Sequence, residues 1–503
     1  MLDRPIAAPD SAVAPDQRVA GRSAFDPALA DRFAAIVGDA HAHRSDADRA
    51  AFDAEQRRAL PGRSALVLRP ANTGEVAAIV RLAAETRTPI VPQGGNTGLV
   101  GAGVARGDRS AAIGEATGAG LDVVVALGRM NAIRDIDPAG NTMVAEAGCV
   151  LQGVQEAADA ADRLFPLALG SQGSAQIGGL IGSNAGGMGA LAYGVTRDLV
   201  MGLEAVTPDG RVWNGLTRLK KNNTGYDLKQ LMIGGEGTLG IVTAAVLKLF
   251  PRPKGREIAF AGMASPAAAL TLLGTMRERA GGDLTLFELI ERTPLAMAIR
   301  HFGHREPLEG IHPTYALVEV SSGRSAEDAR AVLEEGLGAA LEAGTIGDAA
   351  IAGSLAQAAE FRAMRENCSW AQREEGASIK HDIALPVAAI PDFLARAAPL
   401  VEREAPGSRV VCFGHMGDGN LHYNVSRPVG GSNEDHLARC TSVNEAVFGL
   451  VMGMGGSISA EHGIGQAKRA WLPRIKGEVE MDMMRAVKRA LDPHGIMNPG
   501  KLL

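Results

Sequence analysis

Cysteine is scarce and scattered in this 503-residue chain: Cys149, Cys368, Cys412 and Cys440 form no CxxC pair. That spacing speaks against a zinc ribbon, an iron–sulfur run and a disulfide framework, and fits a reducing compartment. A basic excess is also missing. The formal charge is −6 and no Lys/Arg stripe occurs, which argues against a nucleic-acid binder. No apolar run reaches 18 residues, so no transmembrane segment is expected. The opening "MLDRPIAAPDSAVAPDQRVAGRSA" has no compact apolar stretch. It matches neither a secretory signal nor an acid-poor transit peptide, and residues 1–25 read as a flexible tail. The location expected is cytoplasmic or peripheral at a membrane. Neither an internal repeat nor a GxxxxGK[ST] phosphate loop is present.

Glycine is what the chain has in excess: 63 residues, about one in eight against a usual share near 7%. The glycines gather in 93–107, 170–194, 234–240 and 453–465, between regularly patterned stretches. "TGEVAAIVRLAAET" has helical spacing after a Thr cap, and "PIVPQGGNTG" is a short strand running into a glycine loop. "GCVLQGVQEAADAADRL" reads as a helix, "LEAVTPDGRVW" as a hairpin and "GIVTAAVLKLF" as a buried strand. "PRPKG" at 251–255 marks a domain boundary. Beyond it strand-like and helix-like segments alternate, giving an α+β class.

"PQGGNTGLVGAGV" and "GSQGSAQIGGLIGSNAGG" expose backbone N–H groups with no side chain in the way, which suits a pyrophosphate. "GEGTLG" matches GxGxxG, but a helix precedes it and a strand follows, the reverse of a Rossmann fingerprint. It is rejected as a sign of NAD. In "GHMGDGNLHYN" the pair Asp418-Gly419 suggests a two-residue type I′ hairpin loop. Its register would oppose His415 to His422, with Cβ atoms roughly 4.5 to 5.5 Å apart, and put Asn424 on the face of His422. Glu461 in "SAEHGIGQAKR" is a candidate third ligand, since two imidazoles and a carboxylate bind zinc with positions left open. His462 follows it. Arg365 and Ser369 share a helix face in "FRAMRENCSWAQREEGASIKHDIALPV". With Lys380 they form a donor set suited to a carboxylate.

"PIVPQGGNTGLVGAGV", "GGLIGSNAGGMGALAYGVTRDLVMGLEAV" and "GGEGTLGIVTAAVLKL" resemble the flavin-binding half of the vanillyl-alcohol-oxidase-like flavoproteins, over most of residues 60–503. The resemblance implies a two-part PCMH-type FAD domain (26–252), an α+β substrate or cap domain (253–470) and a C-terminal segment (471–503) returning to the flavin. It nominates Pro92, Gly94, Gly95, Asn96, Thr97 and Gly98 in the first loop. Ser171, Gly173, Ser174, Gly178, Gly179, Asn184 and Gly187 would act in the second, Ile241 near the isoalloxazine, and Asn498 of "DPHGIMNPGKLL" beside it. Some relatives attach flavin through a histidine in the first loop. Asn96 stands there, so a dissociable FAD is expected.

"GHMGDGNLHYN" and "EHGIGQAKR" together resemble the metal-dependent D-2-hydroxyacid dehydrogenases. That similarity implies His415, His422 and Glu461 as ligands of a divalent metal, with zinc favoured over manganese or cobalt. It further implies Asn424 as a substrate contact and His462 as proton acceptor. Arg365, Ser369 and Lys380 would hold a distal carboxylate, Ser369 standing where relatives have Thr. The expected reaction is oxidation of D-2-hydroxyglutarate, with D-lactate or glycolate, or a non-catalytic flavin subunit of a glycolate-oxidase-like complex, as alternatives. The expected electron acceptor is a separate electron-transfer flavoprotein, quinone or cytochrome, and a homodimer is the assembly considered.

Overall fold

A computed structural model describes residues 25–56, 60, 62–107 and 121–503. The tail expected over 1–25 falls outside them except for Phe25, which packs on Phe33. Three larger sheets and one two-stranded pair, Arg163–Leu164 with Phe250–Pro251, organise the rest. In the first, strands Leu66–Leu68, Val123–Ala126 and Ile90–Gln93 run parallel, with Ala42–His43 antiparallel at the edge. "VVVA" at 123–126 is buried throughout, as a parallel strand covered on both faces requires. Helix Thr73–Thr86 buries Val76, Ala77, Ile79, Val80 and Ala83. Its cap is Asn72, not the expected Thr73: the Asn72 side chain accepts from the Glu75 N–H, while Glu75 accepts from the Ala71 N–H. The reciprocal pair moves the helix start by one residue.

The second sheet is antiparallel, in the order Ile133–Asp137, Thr142–Glu146, Ile241–Lys248, Val200–Val206, Val212–Gly215. Its central strand Ile241–Lys248 is buried except at Lys248, matching a run that is apolar but for Thr243, whose hydroxyl donates to Glu204. The third sheet begins at Gly255 and has eight antiparallel strands, including Gly255–Met263, Leu284–Glu291, Thr314–Ser322, Arg409–Gly414 and Asn420–Ser426. Alternate residues feed opposite cores. Ala259, Ala261, Phe287 and Leu289 face helices Pro266–Ala280 and Ala326–Glu342, while Ile258, Phe260, Leu286 and Ile290 face Arg292–Phe302 and Leu355–Glu374. After helix Glu478–Leu491 the chain returns to the first sheet. There the Ile90 N–H donates to the Ile496 carbonyl and the Asn498 N–H to the Ile90 carbonyl. That return brings the C-terminal residues to the base of the first glycine loop.

Candidate active site

Strand Ile90–Gln93 delivers the first glycine loop to one wall of a cleft of about 1060 Å³, measured to its open mouth. Pro92, Gly94, Gly95, Asn96, Thr97 and Gly98 line it, as do Gly178 and Gly179 in the first turn of helix Ile177–Ser183, and Ile241. The loops meet backbone to backbone: a Cβ on Gly95 would collide with the Ser174 carbonyl, and one on Gly94 would press on Gly179. Glycine is needed here for that approach.

Six nominated residues lie outside the lining. Ser171 and Ser174 form the turn behind Gly95, the Ser171 carbonyl accepting from the Ser174 N–H. Gly173 shares that turn, and Gly187 abuts the Ala168 carbonyl. Asn184, at φ 51°, ends the helix and accepts from the Arg197 N–H at 2.9 Å. Asn498 sits behind the wall, its amide donating to Ala102 and Glu236 carbonyls, and its Oδ1 is buried without a partner.

Sequence reasoning missed Glu55, Val100–Val104, Gln176, Met232 and Glu236–Gly237, all of which line the cleft. The signal was "GEGTLG". Its helix-then-strand order, Lys229–Met232 before Ile241–Lys248, is as read. The segment is nevertheless a cleft wall, with Gly237 at φ 69° against Pro92.

The histidine hairpin forms, two residues out of the expected register. Phe413, not His415, opposes His422, and the connection is the five-residue loop 415–419. A type I′ loop needs positive φ at both central residues. Only Gly419 has it, because the N–H groups of Asp418, Gly419 and Asn420 all converge on the His415 carbonyl and widen the turn. A slip of two preserves the face. His415 and His422 therefore still meet, with ring centroids 5.8 Å apart.

Glu461 completes the cluster. Its Oε1 lies 3.5 Å from His415 Nε2 and its Oε2 3.9 Å from His422 Nε2. One donor atom from each of the three residues falls within 4.8 Å of the others, a set that a divalent ion fits with positions left open. Two carboxylates hold it from behind. Glu288, 1% exposed on strand Leu284–Glu291, bonds His415 Nδ1 and accepts from Arg365 Nε at 2.5 Å. Asp382, 3% exposed on strand Asp382–Ala384, accepts from the Glu461 and His462 N–H groups at 2.9 Å each. Such backing fixes which ring nitrogen faces a metal.

The charges follow. Burial opposes ionisation of His415, but Glu288 overrides it and lifts the imidazole to about 10. Burial lowers His422 to about 4, so it is neutral at pH 7. Burial works against the Glu288 charge too, yet Arg365 and His415 bring that carboxyl down to about 2. Asp382 and Glu461 are likewise held below the ordinary carboxylate range against their burial, by the neighbouring histidines.

His462 belongs to both parts of the site. It lines the cofactor cleft, stacks on His422 at 6.4 Å, and its Nδ1 lies 3.4 Å from Asp382. Arg365 reaches the cluster through Glu288 and lies 5.0 Å over the Phe413 ring. Its Nη2 is buried with no hydrogen-bond partner. Asn424 is buried on the His422 strand and accepts from the His381 N–H. Lys380 donates to Gln372, on the helix that carries Arg365, whereas Ser369 on that helix is exposed and does not join them.

Two family models match in tandem: the FAD binding domain over residues 64–215 and the C-terminal domain of FAD linked oxidases over 252–502. A D-2-hydroxyglutarate dehydrogenase from Xanthomonas citri pv. viticola is 36% identical, with 89% of this chain and 90% of that one aligned. The mitochondrial D-2-hydroxyglutarate dehydrogenase of Bos taurus is 35% identical over 89% of this chain and 78% of its own. Among solved structures, p-cresol methylhydroxylase with substrate bound superposes with TM-score 0.73 at 15% identity, covering 94% of this chain and 96% of that one. An alkyldihydroxyacetonephosphate synthase superposes with TM-score 0.70 at 16% identity, covering 94% and 85%. These two likenesses establish the fold. Cleft, tandem domains and fold together define an FAD-dependent oxidoreductase. Within that class the chain belongs to the family of the D-2-hydroxyglutarate dehydrogenases. Among the described residues no helix is long and apolar enough to cross a membrane.

Proposed function

We propose that this chain oxidises D-2-hydroxyglutarate to 2-oxoglutarate, using dissociable FAD in the glycine cleft and a divalent metal, zinc first among candidates, on His415, His422 and Glu461. The observation that carries the reading is a donor set beside the cleft whose neighbour Arg365 keeps a buried Nη2 unpartnered. When bound, the flavin supplies a hydride acceptor and the metal a Lewis acid for the substrate hydroxyl.

The chain's own residues do the rest. Arg365 presents Nη2 to the distal carboxylate, held in place by Glu288 at its Nε. Lys380, from the extended stretch after the Arg365 helix, adds a second cation and is tied to that helix through Gln372, and Asn424 orients the bound acid. His462 takes the hydroxyl proton on Nε2, because Asp382 faces Nδ1 and sets the tautomer. Backbone of Gly94, Gly95, Gly178 and Gly179 holds the pyrophosphate without side-chain interference. Asn96 offers no nucleophile for covalent attachment.

Steady-state kinetics of Arg365→Ala and Lys380→Ala test the substrate. The expected outcome is a selective loss of kcat/KM for D-2-hydroxyglutarate over D-lactate. Equal loss for both acids sinks the dicarboxylate assignment in favour of a monocarboxylate such as D-lactate or glycolate.

A further inference from the structure

The stretch from Arg218 to Leu228 is exposed at every residue. It carries Leu219 at 63% exposure, Tyr226 at 96% and Leu228 at 45%. Asp227 is the only acidic residue between 216 and 231, against Arg218, Lys220, Lys221 and Lys229. Arg218 is engaged by Asp135 and Asp137, and Lys229 by Asp227. Among the described residues Lys220 and Lys221 make no ion pair. Beside them Lys248 lies 4.7 Å over the Phe250 ring, and it joins Lys220 and Lys229 around a surface cavity whose lining contains no carboxylate. Exposed apolar groups among unpaired cations, on a chain of net charge −6, make a face that selects for an acidic protein.

The face leads to the cleft. Helix Lys229–Met232 is a single turn: it leaves the exposed stretch at Lys229, and Met232 lines the cleft. Three residues of helical rise separate them by about 4.5 Å. Flavin reduced by substrate holds two electrons and a proton that must leave. The four cysteines are free thiols with no CxxC spacing, a poor ligand set for a cluster that would relay electrons onward.

Resting on the reading of the chain as an FAD-dependent dehydrogenase, we propose that Leu219, Lys220, Lys221, Tyr226 and Leu228 dock an acidic, electron-carrying protein. That protein reoxidises the flavin in two single-electron transfers, with the proton released to solvent.

The test uses full-length holoenzyme whose flavin has been reduced anaerobically with light, so that it does not depend on the substrate assignment. The acceptor probes are the soluble haem domain of cytochrome b5 (acidic), cytochrome c (basic) and a small neutral quinone. The double variant K220E/K221E is expected to reduce cytochrome b5 about tenfold more slowly at low ionic strength, the gap closing in high salt. Its rates with cytochrome c and the quinone stay at wild-type level or above. Tyr226→Ala slows cytochrome b5 in high salt as well. An unchanged cytochrome b5 rate, or an equal loss with all three probes, overturns the proposal. So does binding to phosphatidylglycerol vesicles that K220E/K221E abolishes while the cytochrome b5 rate is unchanged, which would assign the face to a membrane. Bleaching of the variant's flavin by D-2-hydroxyglutarate is measured separately, and its absence would count against the proposed substrate alone.

Discussion

The two walls of the site use opposite chemistries. The cofactor wall is built from Gly94, Gly95, Gly178 and Gly179, where the absence of side chains brings backbone amides close together. The wall proposed to hold the metal is built from ionisable side chains, His415, His422 and Glu461, with Glu288 behind His415 and Asp382 behind the Glu461 N–H and 3.9 Å from His422. A backbone site breaks when bulk is added. A side-chain site breaks when one proton or one carboxylate is moved.

The largest effect is expected at the residue the two walls share. His462→Gln should lower kcat/KM by about 10² to 10⁴ while FAD and metal contents stay near wild type. Stopped-flow flavin reduction and metal analysis check both halves of that statement. Glu288→Gln should come next, weakening metal affinity by roughly 10 to 100-fold when measured at about pH 10, where the His415 proton no longer competes and only the loss of the backing carboxylate is read. Competition with a chromophoric chelator reads it directly.

In the wild-type protein the same measurement should depend on pH. Without metal, His415 keeps its proton up to about 10, and ligation must expel it. Affinity should therefore rise roughly tenfold per unit between about pH 7 and 9. A flat profile would mean that Glu288 does not charge His415.

On the other wall, Gly95→Ala should yield protein with little bound flavin, because its Cβ meets the Ser174 carbonyl. Gly173→Ala should retain flavin, since Gly173 lies outside the cleft lining and its Cβ would meet only the Gln152 side chain, at 3.4 Å. Absorbance ratios of the purified variants compare them. The smallest effect belongs to Ser369→Ala. That exposed residue should change KM for D-2-hydroxyglutarate by less than about twofold, within the usual range of surface substitutions.

The difference between the walls also explains what could be read without coordinates. Glycine loops announce themselves by composition, and the first loop, Pro92 to Gly98, lies in the cleft as a unit. The second loop was legible only as a loop. Which of its members line the cleft, Gly178 rather than Gly173 or Gly187, depends on how helix Ile177–Ser183 is aimed. The His415/His422 pair survived an error of two in register because alternation repeats every second residue. Glu288 and Asp382 were not singled out, although each is a carboxylate inside an apolar strand, "LTLFELIE" and "HDIAL". A buried charge in such a strand needs a partner, and here the partners are Arg365, His415 and the N–H groups of Glu461 and His462.

Anaerobic flavin bleaching by D-2-hydroxyglutarate, followed before chelation, after it and on return of zinc, tests the cooperation of the two walls most directly. Cooperation predicts rapid bleaching, its loss with FAD still bound once the metal is stripped, and its recovery when zinc is restored. Bleaching that proceeds unchanged in the chelated protein would contradict a role for His415, His422 and Glu461 as metal ligands in the reaction.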